Sequence, residues 1–301
     1  MKLLAPSYYP AFQCIASRCT HSCCVGWEID IDSETLALYN TLSADYGTQI
    51  RESIDREETP HFRLCSGDRC PHLNENGLCK IILNLGESYL CEICREHPRF
   101  YHNTTHGMEV GLGMACEEAC RLILSSDRYA DFVELEPLAF DLDTPEFDAV
   151  EHRSAIYALL GDASIPYLER LERLSAHYGV TPLSRSDEDW REQIASLEYL
   201  DETNRSLFRC YTSRPRVPAS LEKPLERALA YWILRHCSDA LDAEELRSAL
   251  GFCLLCERLL ASLAQAENAT DESSLLPLAR ILSEELEYSE ENTETIISLF
   301  I

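Results

Sequence analysis

Lysine is scarce in this 301-residue sequence: only Lys2, Lys80 and Lys223 occur among its 26 basic residues. Acidic residues number 52, so the formal net charge is −26. Composition bias explains the preference for arginine. A chain this acidic has no general attraction to phosphate backbones, and we expect no nucleic-acid partner held by bulk electrostatics.

Long apolar runs are also missing from the sequence. No stretch approaches the roughly 18 consecutive apolar residues that a membrane-spanning helix needs. The segment Met1–Pro10 has only Leu3-Leu4-Ala5 before its first proline, which is too short for a signal-peptide core. The 46% hydrophobic content is nevertheless that of a folded protein. We therefore expect a cytoplasmic globular protein that makes no membrane contact.

Familiar catalytic signatures are absent as well. Gly111 and Gly113 stand in no recognisable strand–turn–helix unit, so we interpret them as a turn rather than as a nucleotide-binding loop. No Ser/His/Asp pattern is visible, and His102 and His106 are interpreted as loop residues. The sequence therefore predicts no dinucleotide-binding fold of the Rossmann type.

Cysteine, in contrast, is abundant. Of the 15 cysteines, eleven lie between Cys14 and Cys120. Without an export signal, disulfides are disfavoured by the reducing cytosol, and dense thiols more often bind metal or perform redox chemistry. The other four cysteines have apolar neighbours on predicted helices and are expected in the core; they are Cys210, Cys237, Cys253 and Cys256.

The densest group is Cys14, Cys19, Cys23 and Cys24, four thiols within eleven residues. Such thiols converge only if the backbone turns back on itself, which a shared cation stabilises. The spacing leaves the metal open: zinc in Cys₄ or Cys₃His sites, with partners from His21, His72 and His97, or a [4Fe–4S] cluster. A radical-SAM loop is disfavoured because Gly26 stands where its third cysteine is needed.

The distribution of residue types along the chain predicts a mainly α fold in two domains. Residues 1–130 form a Cys-rich metal-binding region with little β structure, and residues 131–301 form a helical bundle; the Pro-punctuated stretch 133–148 joins them. Trp27–Asp32 alternates like a short strand, and Ser33 begins a helix that reaches about Glu57. Further helices are predicted over 81–94, 116–124, 150–160, 165–179, 187–211, 219–238, 243–266 and 273–300. Trp190, Trp232 and Leu254 are expected to be buried.

An ordered set of motifs over residues 6–125 resembles the flagellin lysine-N-methylases and, more distantly, Cys-rich zinc- or iron-chelating domains. The matching residues are Phe12, Cys14, Ile15, Ser17, Cys19, Cys23-Cys24, Gly26-Trp27, Ile31-Asp32, Cys70-Pro71, Leu73, Leu78-Cys79, Ile81, Leu85-Gly86-Glu87, Tyr89-Leu90, Cys94, Pro98-Arg99, Cys116, Glu118-Ala119 and Arg121-Leu122.

The resemblance implies methyl transfer from S-adenosylmethionine (SAM) to a protein lysine, on flagellin, with a Cys-ligated [4Fe–4S] cluster or alternatively zinc. It implies the ligand pool Cys14, Cys19, Cys23, Cys24, Cys70, Cys79, Cys94 and Cys116, from which we expect mainly Cys19, Cys23, Cys79 and Cys94 to be used. Cys91 and Cys120 stand where the family pattern has small non-ligand residues.

Methyl transfer from a sulfonium to an amine needs acidic and aromatic groups that attract both cations. The candidates near the matching motifs are Tyr9, Trp27, Glu87 and Tyr89, with Tyr8 and Glu28 beside them. Two alternatives stay open: a non-catalytic zinc- or iron-binding module that acts as a metal store, chaperone or redox sensor, and an iron–sulfur redox enzyme of another kind.

Overall fold

Two compact units make up the chain. The structure, a computed structural model, describes residues 1–43, 45–137, 142–180 and 185–300. Residues 13–98 form the small unit, and residues 1–12 together with 99–301 form the large unit. This division differs from the sequence-based boundary at residue 130, because the first strand of the chain pairs with strands that follow residue 99. Part of the predicted joint, residues 138–141, lies outside the described residues.

Helices predominate, as the sequence predicts. The strands are β1 (Leu3–Pro6), β2 (Ile54–Asp55), β3 (His61–Phe62), β4 (Arg99–Thr104), β5 (Gly107–Leu112) and β6 (Phe132–Leu135). The helices are α1 (Ser33–Thr41), α2 (Asp45–Glu52), α3 (Lys80–Leu85), α4 (Glu92–Glu96), α5 (Glu117–Ser125), α6 (Ala149–Leu160), α7 (Tyr167–His177), α8 (Asp187–Ala195), α9 (Asn204–Leu207), α10 (Glu222–Cys237), α11 (Ala243–Ala266), α12 (Glu272–Leu282) and α13 (Glu290–Ile297), with a π-helix over Ser283–Glu287.

The large unit opens with a sheet that the sequence analysis did not predict. Its strand order is β4-β5-β1-β6. Strand β1 pairs parallel with β5, with Leu3 opposite Met108, and antiparallel with β6, with Leu3 opposite Leu135. Leu3, Met108 and Val110 are buried together on this sheet.

The interpretation of Gly111 as part of a turn is wrong, because Gly111 lies in β5 opposite Phe100 of β4. A Cβ at this position would stand 2.2 Å from the Phe100 ring. Glycine is therefore required so that the aromatic ring can pack against the strand backbone.

The helical bundle follows the sheet, and its predicted burial is confirmed. Trp190 and Trp232 are almost completely buried and Leu254 is 7% exposed. Helix α11 matches the predicted range 243–266, and no strand occurs in the described residues after position 142. The predicted helix over 187–211 is instead broken into α8, α9 and a 3₁₀ turn.

Helix α11 is long and apolar enough to cross a membrane by length and composition alone, which the sequence analysis did not anticipate. However, 83% of its most apolar window is buried inside the structure. Leu250, Phe252 and Leu255 belong to the main core. This burial is what a core helix shows.

In the small unit, the alternating burial of Trp27–Asp32 is confirmed, since Ile29 and Ile31 are buried while Glu28 and Asp30 are exposed. Only Asp30 forms a bridge, to His61, so the segment is extended without being a full strand. The predicted helix from Ser33 is interrupted after Thr41 and resumes at Asp45. The predicted helix over 81–94 is broken at Gly86, whose φ of +99° lies outside the helical region.

Glu257 on α11 supports a prediction on pH-dependent stability. Its side chain is 2% exposed, and Oε1 accepts a hydrogen bond from Tyr167 Oη (2.9 Å). Oε2 has no hydrogen-bond partner among the described residues and lies 3.8 Å from Arg258 Nε. Burial raises the pKa of this carboxyl above its ordinary value of 4.5. The unfolded chain therefore loses this proton at lower pH than the folded chain, so stability is lost as the pH rises above about 4.5.

We expect Glu257→Gln to be more stable than the natural chain at pH 8, and the difference to shrink towards pH 5. Urea midpoints at both pH values measure it. The exposed Glu192 on α8 gives the matched control Glu192→Gln, which should show no such pH-dependent difference. A stability gain that is equal at both pH values would contradict a role for this proton.

Candidate metal centre

Five cysteines of the small unit converge on one hydrophobic cluster around Ile29, Tyr39 and Phe62. We call them the thiol cluster. Two of them are buried, and three are half-buried. Their charges influence one another: ionisation of Cys70 is opposed by three of the others, and that of Cys94 likewise by three. The members of the thiol cluster are Cys24, Cys70, Cys79, Cys91 and Cys94.

Backbone pairing brings the first three of these thiols together. The Cys70 N–H donates to the Cys24 carbonyl (2.8 Å), and Cys79 forms a β-bridge with Leu73. Between them, the Asn74 side chain accepts hydrogen bonds from the N–H groups of Asn76 and Leu78, both at 2.9 Å. This Asx turn folds the segment 74–78 back on itself and brings Cys79 near Cys70.

A second set of hydrogen bonds positions Cys91 and Cys94. Asp32 caps α1 through the Thr35 N–H, and its other oxygen accepts from the Glu92 N–H at the start of α4, each at 2.8 Å. The Tyr39 hydroxyl donates to the Tyr89 carbonyl (2.7 Å). Asp32, which precedes α1 as its N-cap, and Tyr39 within α1 therefore hold the segment that carries both thiols.

His72, a candidate zinc partner, has another role here. It is 2% exposed, its Nδ1 lies 3.0 Å from Tyr46 Oη, and its Nε2 lies 3.0 Å from Ser53 Oγ. Burial lowers its pKa to about 4, so the ring is neutral. Both ring nitrogens are thus engaged in hydrogen bonds that hold the loop between Cys70 and Cys79.

The thiols differ strongly in how readily they ionise. A hydrogen bond from the Cys23 thiol, aided by Arg69, lowers the pKa of Cys24 to about 7. A hydrogen bond from Cys94 likewise lowers the pKa of Cys91. Burial raises the pKa of Cys70 to about 12. The hydrogen bond that the Cys94 thiol donates to Cys91 raises the pKa of Cys94. Bringing several thiolates here therefore requires a cation that neutralises them.

The remaining members of the expected ligand pool do not belong to the thiol cluster, although the Cys23 thiol is hydrogen-bonded to Cys24. Cys14 and Cys23 are exposed and Cys19 is partly exposed, its thiol donating to the His21 carbonyl (2.8 Å). Cys116 precedes α5 in the large unit. Cys65 is exposed, and Cys120 is buried in the main core together with Cys237, Cys253 and Cys256, as expected for the last three. Cys210 is half-buried against the same core.

Sequence reasoning missed Cys91 as a member of the cluster. The family pattern led us to expect a non-ligand residue there. The spacing Cys91-x-x-Cys94 was itself a signal, because two cysteines at this spacing commonly bind the same metal ion. The donors of the thiol cluster, soft and partly shielded from water, suit zinc or an iron–sulfur cluster. Across the described ranges, no three Cys, His, Asp or Glu side chains are already arranged as a metal site.

The candidate catalytic residues are divided between the two units. Tyr9 belongs to the large unit, where its hydroxyl accepts a hydrogen bond from Arg99 Nε (2.9 Å). Trp27, Glu87 and Tyr89 belong to the small unit, where Glu87 is exposed and the two aromatic residues are half-buried. Tyr8 is buried in the main core, and Glu28 is exposed.

Comparison with known proteins gives the chain a family context. The flagellar biosynthetic protein FliU of Salmonella muenchen is 30% identical over 127 residues, which cover 40% of this chain and 75% of FliU. The chain belongs to the flagellin lysine-N-methylase family. Two further members, the lysine-N-methylases of Salmonella typhimurium and Salmonella choleraesuis, are each 28% identical over 128 residues.

The match to these two lysine-N-methylases covers 40% of this chain and 32% of each relative, so the chain spans about a third of the length of these methylases. No family model matches the chain. No solved structure matches it either.

Proposed function

We propose that this chain is a SAM-dependent protein lysine N-methyltransferase that acts on flagellin. The observation that carries the proposal is the similarity to proteins named lysine-N-methylase and to a flagellar biosynthetic protein. The Cys-rich motifs over residues 6–125 support it. Localisation in the cytoplasm, where SAM and unassembled flagellin subunits would meet, belongs to the same proposal.

The reaction is an in-line displacement. The lone pair of the lysine Nζ attacks the methyl carbon of SAM, the carbon–sulfur bond breaks, and the electron pair stays on sulfur as S-adenosylhomocysteine. The ammonium form of lysine has no lone pair, so one proton must leave before the attack. The protein therefore has to bind the sulfonium and the lysine, accept that proton, and hold the neutral amine in line with the methyl group.

We propose that the metal ligands come from the thiol cluster. Four of its members also belong to the ligand pool that the family resemblance implies: Cys24, Cys70, Cys79 and Cys94. The fifth member, Cys91, is not part of that pool. A [4Fe–4S] cluster, or alternatively zinc, would supply the positive charge that lets these thiols ionise together and would fix the loops that carry them. A bound metal thus has a structural reason to be present whatever its part in the chemistry.

Incubation of the metal-loaded protein with SAM and purified flagellin is expected to give N-methyl-lysine, detected as added methyl groups on lysine-containing peptides by mass spectrometry. The matched control is flagellin whose lysines have been acetylated, since acetylation removes the amine nucleophile. A folded, metal-loaded protein that binds no SAM by calorimetry would contradict the proposal. That result would favour the metal-binding module, for which the thiol cluster alone is sufficient.

A further inference from the structure

Cys91 differs from the other members of the thiol cluster, because the ligand pool implied by the family resemblance does not include it. It lies three residues before Cys94, which is a member of that pool. The Cys94 thiol and the Cys94 N–H both donate hydrogen bonds to Cys91 Sγ. The sulfur atoms of Cys91 and Cys94 are therefore in direct contact.

The backbone around this pair suits a disulfide bond. Cys91 is the N-cap of α4, and the Arg95 N–H donates to the Cys91 carbonyl (3.0 Å) to form the first turn of that helix. One helical turn places the Cα atoms of residues three apart about 5 Å from each other. Disulfides span Cα separations of roughly 4.4–6.8 Å, so Cys91 and Cys94 can be joined without movement of the backbone.

Other cysteine sulfurs in the described part of the chain are also in contact, but these pairs are less suitable. The Cys23 thiol donates to Cys24. The Cα atoms of adjacent residues lie only about 3.8 Å apart across a trans peptide bond, which is less than a disulfide spans. The Sγ atoms of Cys237 and Cys253 lie 3.9 Å apart, but both residues are fully buried in the main core, where thiols are inert. Cys94 is only half-buried and gives a small oxidant access to its pair.

We propose that Cys91 and Cys94 form a reversible disulfide with a peroxide as the oxidant, and that this bond withdraws Cys94 from the metal. One sulfur attacks the peroxide and becomes a sulfenic acid, and the first water leaves. The second sulfur, already in contact, attacks the sulfenic sulfur and displaces the second water. Each thiol gives up one hydrogen, and the two sulfur atoms together lose two electrons to the peroxide oxygens.

The effect on the metal rests on the proposed function, in which the thiol cluster supplies the ligands. Disulfide sulfurs carry no negative charge, whereas the thiolate is the form of cysteine that binds metal. Oxidation would leave Cys24, Cys70 and Cys79, one thiolate fewer than the four of a Cys₄ zinc site or a [4Fe–4S] cluster. The additional cysteine of this chain would thus make metal occupancy depend on the oxidant concentration.

The test detects the disulfide itself by peptide mass spectrometry. The full chain is stripped of metal with a chelator under a reductant, exposed to increasing hydrogen peroxide, treated with iodoacetamide and digested with trypsin. Cleavage after Lys80 and Arg95 releases residues 81–95, which contain Cys91 and Cys94 and no other cysteine. A disulfide leaves this peptide unalkylated and two hydrogen masses lighter, and dithiothreitol reverses both changes.

We expect residues 81–95 to be oxidised before any cross-link joins the peptides of Cys237 and Cys253. The oxidised protein should take up neither iron nor zinc above background, and dithiothreitol should restore uptake to that of untreated protein. Bound metal should protect the peptide from the same peroxide concentration. Cys14→Ser, which changes an exposed thiol outside the cluster, should behave like the natural chain.

Cys91→Ser removes one partner of the pair and keeps the other. Cys94 of this variant should still be alkylated at the peroxide concentration that closes the disulfide in the natural chain. Equal loss of Cys94 alkylation in this variant would overturn the proposal, since the loss in the natural chain would then need no partner sulfur. Full alkylation of residues 81–95 in the natural chain, at peroxide concentrations that oxidise the exposed Cys14, would overturn it as well.

The metal measurements separate this proposal from the proposed function. Undiminished metal uptake by the oxidised protein would refute the withdrawal of Cys94 from the metal. A reduced protein that binds no metal but closes the disulfide would refute the proposed metal site alone. A metal-loaded, active methyltransferase whose stripped form resists oxidation at residues 81–95 would refute the disulfide alone.

Discussion

Replacing Glu109 by alanine is expected to lower the free energy of unfolding by about 3–5 kcal/mol. Glu109 on β5 and Arg153 on α6 form a bidentate ion pair at 2.5 and 2.7 Å, and each side chain is at most 3% exposed. Ser238 Oγ accepts a third hydrogen bond from the same guanidinium (2.6 Å). Removing the carboxylate would leave the Arg153 charge buried with no anion, compensated by that hydroxyl and by the face of the Phe132 ring (4.8 Å to the centroid).

Urea unfolding monitored by circular dichroism measures the effect. The matched control is Glu134→Ala, which breaks the exposed pair with Lys2 (3.2 Å) and should cost about 1 kcal/mol or less. The double variant Glu109→Leu/Arg153→Met should be more stable than Glu109→Ala, because it removes both charges and refills the volume. If Glu109→Ala were no less stable than Glu134→Ala, the ion pair would not hold the sheet to the helices.

The helices of the large unit could be predicted because a buried helical face repeats within the chain itself. Helix α11 is the clearest case, with apolar residues at helical spacing along its whole length. The predicted ranges fail where a tertiary contact, rather than the pattern, ends the helix. The segment after α8 is one example: Glu285 accepts hydrogen bonds from the N–H groups of Leu200 and Asp201.

The sheet could not be predicted because its strands carry little pattern of their own. Strand β1 has four residues, and its partners β5 and β6 follow more than 100 residues later. In β4, His102 resembles a loop residue in the sequence, yet it is buried and paired with Asp239 from beyond α10. Such pairings depend on tertiary structure that no local spacing encodes.

The candidate metal centre was only partly accessible to sequence reasoning. Cysteine density identified the region, because thiols are informative wherever they lie. Which thiols meet depends on backbone contacts such as Cys70 N–H to the Cys24 carbonyl, and on the hydrogen bond from the Glu92 N–H at the start of α4 to Asp32. The closely spaced Cys14 and Cys23 attract attention in the sequence but are exposed, whereas Cys91 was set aside and is buried with the cluster.

Within the thiol cluster, Cys79→Ser is expected to abolish most of the metal content of the protein. Protein purified anaerobically and reconstituted with iron and sulfide should hold both in stoichiometric amounts, with the absorption of an iron–sulfur cluster. Serine removes the thiolate that we propose as an iron ligand while it changes the volume little. The segment held by the β-bridge from Cys79 to Leu73 would then lose its link to the metal.

Two exposed thiols of the same unit provide the controls for this experiment. Cys14→Ser and Cys65→Ser make the identical chemical change outside the cluster and should retain the metal. Cys91→Ser distinguishes the two ligand sets: metal loss would place Cys91 among the ligands, and retention would leave Cys24, Cys70, Cys79 and Cys94 to hold it. Equal loss in Cys14→Ser and Cys79→Ser would contradict the proposed site. Stoichiometric zinc with neither iron nor sulfide would exclude the iron–sulfur cluster and leave a structural zinc site, whose binding energy contributes directly to folding.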